Sequence, residues 1–167
     1  MAVDTIKSGA ITNRDSSPQV KNNSSLEGGI LKESVGTVET NNGSSVGSKL
    51  IMCSIPSNAR VSQVLLFCDD IGTTTVANVG LYRTTADGAA LVHATFFGSA
   101  VSLKDGAVNA SDITHQSGVY DISMVEQPVW KALGLTADPC IMYDVVLTLT
   151  GAADAAATAT LKVKYVI

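Results

Sequence analysis

The stretch ATATLKVKYVI, residues 157–167, alternates in chemistry at every step. Ala157, Ala159, Leu161, Val163, Tyr165 and Ile167 fall on one side of an extended chain, and Thr158, Thr160, Lys162, Lys164 and Val166 on the other. A period of two marks a strand with one face buried. Similar β-rich runs bounded by turn residues are predicted at 31–39, 48–55, 60–68, 75–83, 90–97, 118–122, 142–150 and 158–166. Leu147 and Leu149 keep step with Leu161, Val163 and Tyr165, so the last two runs are expected to form a hairpin with one apolar face inward. Lys162 and Lys164 suit the wet side of an edge strand, where lysine discourages unwanted pairing.

The punctuation between runs supports this reading. NNGSSVG separates the first two, and Pro56-Ser57-Asn58 breaks the chain after Ile55, because proline cannot donate into a ladder. Ala86-Asp87-Gly88 is a hairpin turn in which Asp-Gly tolerates positive φ. One helix is predicted in SMVEQPVWKALGLTADP. Ser123 or Gln127 is its cap, Pro128 lies in its first turn, Gly134 stops it, and Val129, Trp130 and Leu133 share a face over one end of the sheets. The fold class is all-β: a jelly-roll-like β-sandwich of about eight strands, with one short helix and an extended N-terminal arm.

At 167 residues the chain fits one domain and can bury about 70% of its unfolded surface without a disulfide or metal. Apolar residues make up 46% but aromatics only 5%, so the core must be built from Val, Leu, Ile and Ala. Residues 1–29 cannot supply a core of their own, being rich in Ser, Asn, Lys and Gly with no aromatic. They form the expected arm, with a reach of roughly 90 Å when extended, ahead of a sandwich domain at 30–167. Ile6, Ile11, Val20 and Leu26 are spaced to pin such an arm onto a surface and, with Arg14, are the candidate contact residues.

A net charge of −4 and scattered arginines (Arg14, Arg60, Arg83) argue against nucleic acid as a partner. MAVDTIKSGAITNRDSSP has no apolar h-region, so a secretory signal is not expected, and no apolar run approaches membrane-spanning length. Cys53, Cys68 and Cys140 are then expected to be free thiols in a reducing compartment. Cys53 and Cys68 fall in consecutive predicted strands, where they pack as small apolar side chains or, less favourably, act as a dithiol switch.

Chemistry is sparse. Gly43 to Gly47, GSSVG, matches a nucleophile pattern centred on Ser45, with His93 and His115 downstream. That mechanism needs a strand before the serine and a helix after it, whereas here a loop precedes and a strand follows. Asp69-Asp70 could contribute to Ca²⁺ binding, but six or more oxygens are required and no DxDxDG spacing supplies them. His93 reads as an outward strand residue and His115 as a loop residue. NNSS, NGS and NAS fit a glycosylation pattern that has no meaning without a secretory route. No catalytic residue, metal or cofactor is expected.

The phrases TIKSGAITNRDSSP, IPSNARVSQVLLFCDDI, NVGLYRT, FFGSAVSL, VWKALGLTADP, YDVVLTLTGAA and TLKVKYV together resemble a family of tailed-bacteriophage structural proteins, the capsid decoration (cement) proteins. The resemblance extends over most of the chain and rests on phrase order rather than on a catalytic signature. It implies a jelly-roll-like sandwich made in the host cytoplasm and located on the capsid exterior. Its implied partners are the major capsid protein and further copies of itself, a homotrimer ahead of a homodimer, with no nucleic acid, membrane or enzymatic activity. A phage adhesin or glycan-binding jelly-roll module is the alternative. Its usual exposed aromatics are scarce here.

Overall fold

A computed structural model describes residues 5–104 and 107–167. Contacts divide the chain into two units, Met1–Ile30 and Leu31–Ile167. Among its described residues the second contains eight strands: β1 (Lys32–Glu39), β2 (Lys49–Pro56), β3 (Arg60–Cys68), β4 (Val76–Arg83), β5 (Leu91–Ser102), β6 (Val108–Asp112), β7 (Met142–Leu149) and β8 (Thr158–Val166). They form two four-stranded sheets, ordered β1-β8-β3-β6 and β2-β7-β4-β5, and every pairing is antiparallel. The pairs β1·β8, β2·β7, β3·β6 and β4·β5 nest inside one another. A single long antiparallel ribbon has thus wrapped into a sandwich, which is the jelly roll expected.

Alternation sets what each strand buries. Ala159, Leu161 and Val163 of β8 join Val61, Val64 and Leu66 of β3 in the core, opposite Val79 and Leu81 of β4 and Val145, Leu147 and Leu149 of β7. At one side the two sheets nearly touch. A Cβ on Gly36 of β1 would lie 1.6 Å from the Met52 carbonyl oxygen of β2, and the Ser34 hydroxyl donates to the Ser54 carbonyl at 2.9 Å. Only glycine permits that approach.

Several expectations are corrected. The last two runs are not a hairpin: β7 and β8 lie in different sheets, and 150–157 arches between them. Nor is β8 an edge strand, since it pairs with both β1 and β3. Val166, assigned outward, is buried at 5% exposure, while Ile167, assigned inward, is 46% exposed. The alternation breaks where β3 shifts register between Val61 and Gln63 opposite the end of β8. The sixth strand is not 118–122 but Val108–Asp112. Instead, residues 116–120 lie along the edge of β5 through single bonds, Ser117 N–H to the Phe97 carbonyl at 3.1 Å and Tyr120 N–H to the Phe96 carbonyl at 3.2 Å. Gly118, at φ 72, interrupts any ladder there.

The predicted helix is shorter than its pattern. It resolves into a 3-10 turn at Ile122–Met124, where the Asp121 carboxylate accepts from Ser123 N–H, and α2 at Val129–Ala132, with Pro128 as N-cap. Val129 is buried, Trp130 and Leu133 half-buried. Gly134 turns the chain out at φ 76.

The first unit contains α1 (Gly9–Arg14), capped by the Ser8 side chain, and so holds more local structure than a plainly extended arm. The Asn22 amide donates to the Ala10 carbonyl at 3.3 Å and to Glu27 at 2.6 Å, and Asn22 Oδ1 accepts from Asn13 at 2.8 Å. None of its described residues is buried.

Candidate interaction surfaces

Antiparallel connectivity assigns each loop of the sandwich to one of two ends. The connections 40–48, 69–75 and 150–157 gather at one end, tied by Gly43 N–H to the Ala153 carbonyl (3.0 Å) and by the Thr75 hydroxyl to the Ala152 carbonyl (2.7 Å). The connections 57–59, 84–90 and 113–141 gather at the other, tied by Val129 N–H to the Ala59 carbonyl at 2.8 Å. This arrangement separates the chemically suggestive residues. Ser45 is exposed in 40–48, an arch between the sheets rather than a hairpin loop. His93, near the start of β5, and His115, in 113–141, belong to the opposite end. Ser45 is thus a sandwich length away from both histidines and pairs with neither.

Each histidine has a structural occupation. His93 Nδ1 accepts from Thr95 N–H at 3.3 Å, and its ring meets Phe96 edge-on at 6.0 Å. His115 Nδ1 donates to the Tyr120 carbonyl at 2.7 Å and stacks on that tyrosine ring at 5.4 Å. Tyr120 is fully buried, its hydroxyl donating to the Val61 carbonyl at 2.9 Å, and burial pushes its pKa up to about 12. These groups anchor the 113–141 segment to the core.

Asp70 accepts from Gly72 N–H at 3.0 Å, and Asp69 accepts a long bond from Thr158 N–H at 3.4 Å. Among the described residues, no three His, Cys, Asp or Glu side chains converge as a metal site. The three cysteines are free thiols, Cys53 and Cys68 buried and Cys140 exposed. Consecutive strands do not make Cys53 and Cys68 neighbours in a ladder, because β2 and β3 lie in opposite sheets. Burial pushes the Cys53 thiol up to about 11 and also raises that of Cys68. No described helix is long and apolar enough to cross a membrane.

The candidate contact residues of the first unit are displayed rather than packed. Ile6 is 90% exposed, Val20 51% and Leu26 41%, while Ile11 is half-buried. Arg14 Nε donates to Asp15 at 2.9 Å, and Lys7 bonds the same carboxylate at 2.8 Å. The two cations, Arg14 first, lower the Asp15 pKa. Arg14 and Val20 share a depression of about 310 Å³ with Gln19, Lys21, Asn22 and Glu27. Ile6, Ile11 and Leu26 are not part of it.

The outer face of the second sheet is not among the surfaces expected from the sequence. Ile51, Leu91 and Met142 are each exposed there. Val146, facing outward between the inward Val145 and Leu147, is nonetheless buried. It lines a small cavity of about 50 Å³ with Ile51, Tyr82, Arg83 and Lys49, whose ammonium sits 4.6 Å from the Tyr82 ring centroid. The signal that could have exposed it is Ile51, an apolar residue at an outward position of β2.

The class defined so far is an eight-stranded jelly roll whose outer surfaces, rather than an enclosed cleft, are its available chemistry. No family model and no curated protein sequence matches the chain. Among solved structures it is similar to a chain described as "Cyanophage Pam1 capsid asymmetric unit". The identity is 18% and the TM-score 0.51, over 83% of this chain and 86% of that one. At that identity the likeness is one of fold.

Proposed function

We propose that the chain is a virion structural protein that binds the outer surface of a phage shell, contacts the major capsid protein, and reinforces the shell as a homo-oligomer without catalysis. One observation carries the reading. The likeness to a chain of a phage capsid asymmetric unit extends over 83% of this molecule and 86% of the other, so it concerns whole architectures rather than a shared motif. The surface chemistry is in keeping with it. A shell-binding protein needs many modest contacts repeated by symmetry, because linked weak sites gain avidity by orders of magnitude. Ile6, Val20 and Leu26 offer such contacts from the first unit, and Ile51, Leu91 and Met142 from the second sheet. A homotrimer is favoured over a homodimer.

Quantitative mass spectrometry of purified particles tests the reading. The expected result is a copy number of the same order as that of the shell subunits, with electron microscopy placing the protein on the shell exterior. Absence from particles, or a copy number matching tail components, would overturn it. Light scattering of the purified protein reports the oligomer.

A further inference from the structure

We propose that the outer face of the β1-β8-β3-β6 sheet carries a shallow binding site for one neutral pyranose ring. A depression of about 260 Å³ opens there, lined by Phe67, Asp69, Asn109, Thr158 and Thr160 among others. Its size falls just below the range of drug-sized pockets, roughly 300–1,000 Å³, and suits a ligand of one ring. A pyranose has a C–H face that is apolar and a rim of hydroxyls that each donate and accept. Its recognition therefore calls for an aromatic platform ringed by groups of mixed hydrogen-bonding sense. Half-buried Phe67 is the platform. The Asp69 carboxylate accepts, the Asn109 amide both donates and accepts, the Thr158 hydroxyl does either, and the Thr160 hydroxyl has capacity beyond the bond it shares with Thr37 at 2.8 Å. Among the described residues the Asp69 carboxylate accepts one long bond, 3.4 Å from Thr158 N–H, and a carboxylate has room for more.

The backbone is distorted where this set is assembled. Leu66 pairs with Ser111 and Cys68 with Val108, so Phe67 alone opposes two residues, Asn109 and Ala110. This is a β-bulge, a device that re-aims side chains at the margins of sheets. Ala110 sits in the left-handed region at φ 55, where an L-residue is disfavoured, and such outliers cluster at functional positions. The inserted residue leaves Asn109 lining the same depression as Phe67. The Lys162 ammonium lies over the Phe67 ring, 5.6 Å from its centroid, so a bound pyranose must displace that side chain or take the other face. A lining with one carboxylate and no cation is a poor match for phosphate, and one carboxylate is a poor match for a metal. The site does not depend on the shell-binding reading, and either can fail alone.

The test is a titration of the ¹⁵N-labelled full chain with the methyl pyranosides of glucose, galactose, mannose and N-acetylglucosamine, followed by amide shifts, with adenosine monophosphate in parallel. At least one hexoside is expected to give saturable shifts in the millimolar range, confined to residues 67–69, 109–111 and 158–162. Asn109→Ala should weaken that binding roughly tenfold, the loss of one well-used hydrogen-bonding group. Phe67→Leu, which keeps apolar volume and discards the ring, should weaken it comparably while the rest of the spectrum reports an intact fold. Three results would each overturn the proposal: no saturable shift with any hexoside, hexoside shifts unchanged in both variants, or binding of the nucleotide alone.

Discussion

Val163 and Lys164 are chain neighbours in opposite environments. Val163 is fully buried, and Lys164 points outward, where its ammonium donates to the Gln63 amide oxygen at 3.1 Å. Burying a valine contributes about 1.5–3 kcal/mol, against a whole-domain stability of about 5–15 kcal/mol. Val163→Asp forfeits that packing and adds an unpaired buried charge, so it should unfold the protein or nearly so. Lys164→Asp loses one partly exposed contact and should cost no more than about 1 kcal/mol. Thermal denaturation of both variants decides the matter, and equal destabilisation would mean that the facing of β8 is wrong. At this scale the sequence was informative wherever alternation ran unbroken. It misled at Val166 and Ile167, because a register shift in the neighbouring strand β3 is invisible to a pattern read along β8 alone.

Among the elements, β3 and β8 were legible to the residue, and β1, β2, β4 and β7 to within about one position at each end. They are rich in Val, Ile, Leu and Tyr and are bounded by turn residues. β6 was not, because VNASD carries almost no strand propensity and owes its conformation to pairing with β3. GVYDI has the opposite character: its propensity is strand-like, yet Tyr120 is committed to the aromatic cluster with Phe96 and Phe97, so the segment packs without forming a ladder. Of the candidate surfaces, the arm's apolar residues could be picked out by their spacing, and Ile6, Val20 and Leu26 are exposed while Ile11 is half-buried. The Phe67–Asn109 depression was not, since it exists only once a bulge aligns two strands far apart in sequence. The tight side of the sandwich makes its own prediction. Gly36→Ala would drive a methyl to within 1.6 Å of the Met52 carbonyl oxygen, a backbone atom that cannot rotate away. The two edge strands must part, at a cost of at least about 3 kcal/mol. Gly43→Ala, at φ 84 with nothing within 4 Å, should lose only about 1–2 kcal/mol to backbone strain. Urea denaturation of the two variants should rank them in that order, and the reverse ranking would show that β1 and β2 are not in close apposition.

For the whole molecule, composition and strand number indicated a sandwich, while the distribution of strands between sheets emerged only from the structure. Local signals cannot distinguish a hairpin from an arch, and 150–157, small and alanine-rich, would serve either. The arch has a consequence for the order in which the molecule is made. β8 is one of the two central strands of the first sheet, with β1 on one side and β3 on the other, and the hydroxyls of Thr37 on β1 and Thr160 on β8, 123 positions apart in the chain, meet at 2.8 Å. A nascent chain that has emerged only through β7 therefore holds β1 and β3 as strands without their shared neighbour, their apolar faces open to other chains. Closure waits on the last strand, and contacts this distant in sequence place refolding in the slow, millisecond-to-second range of all-β proteins. Ribosome-stalled chains with residues only through 157 clear of the exit tunnel should accordingly be digested by protease as readily as unfolded protein, and those with 167 residues clear should resist it. Resistance already present at 157 would mean that the second sheet and β3 can hold a native-like core before β8 is made.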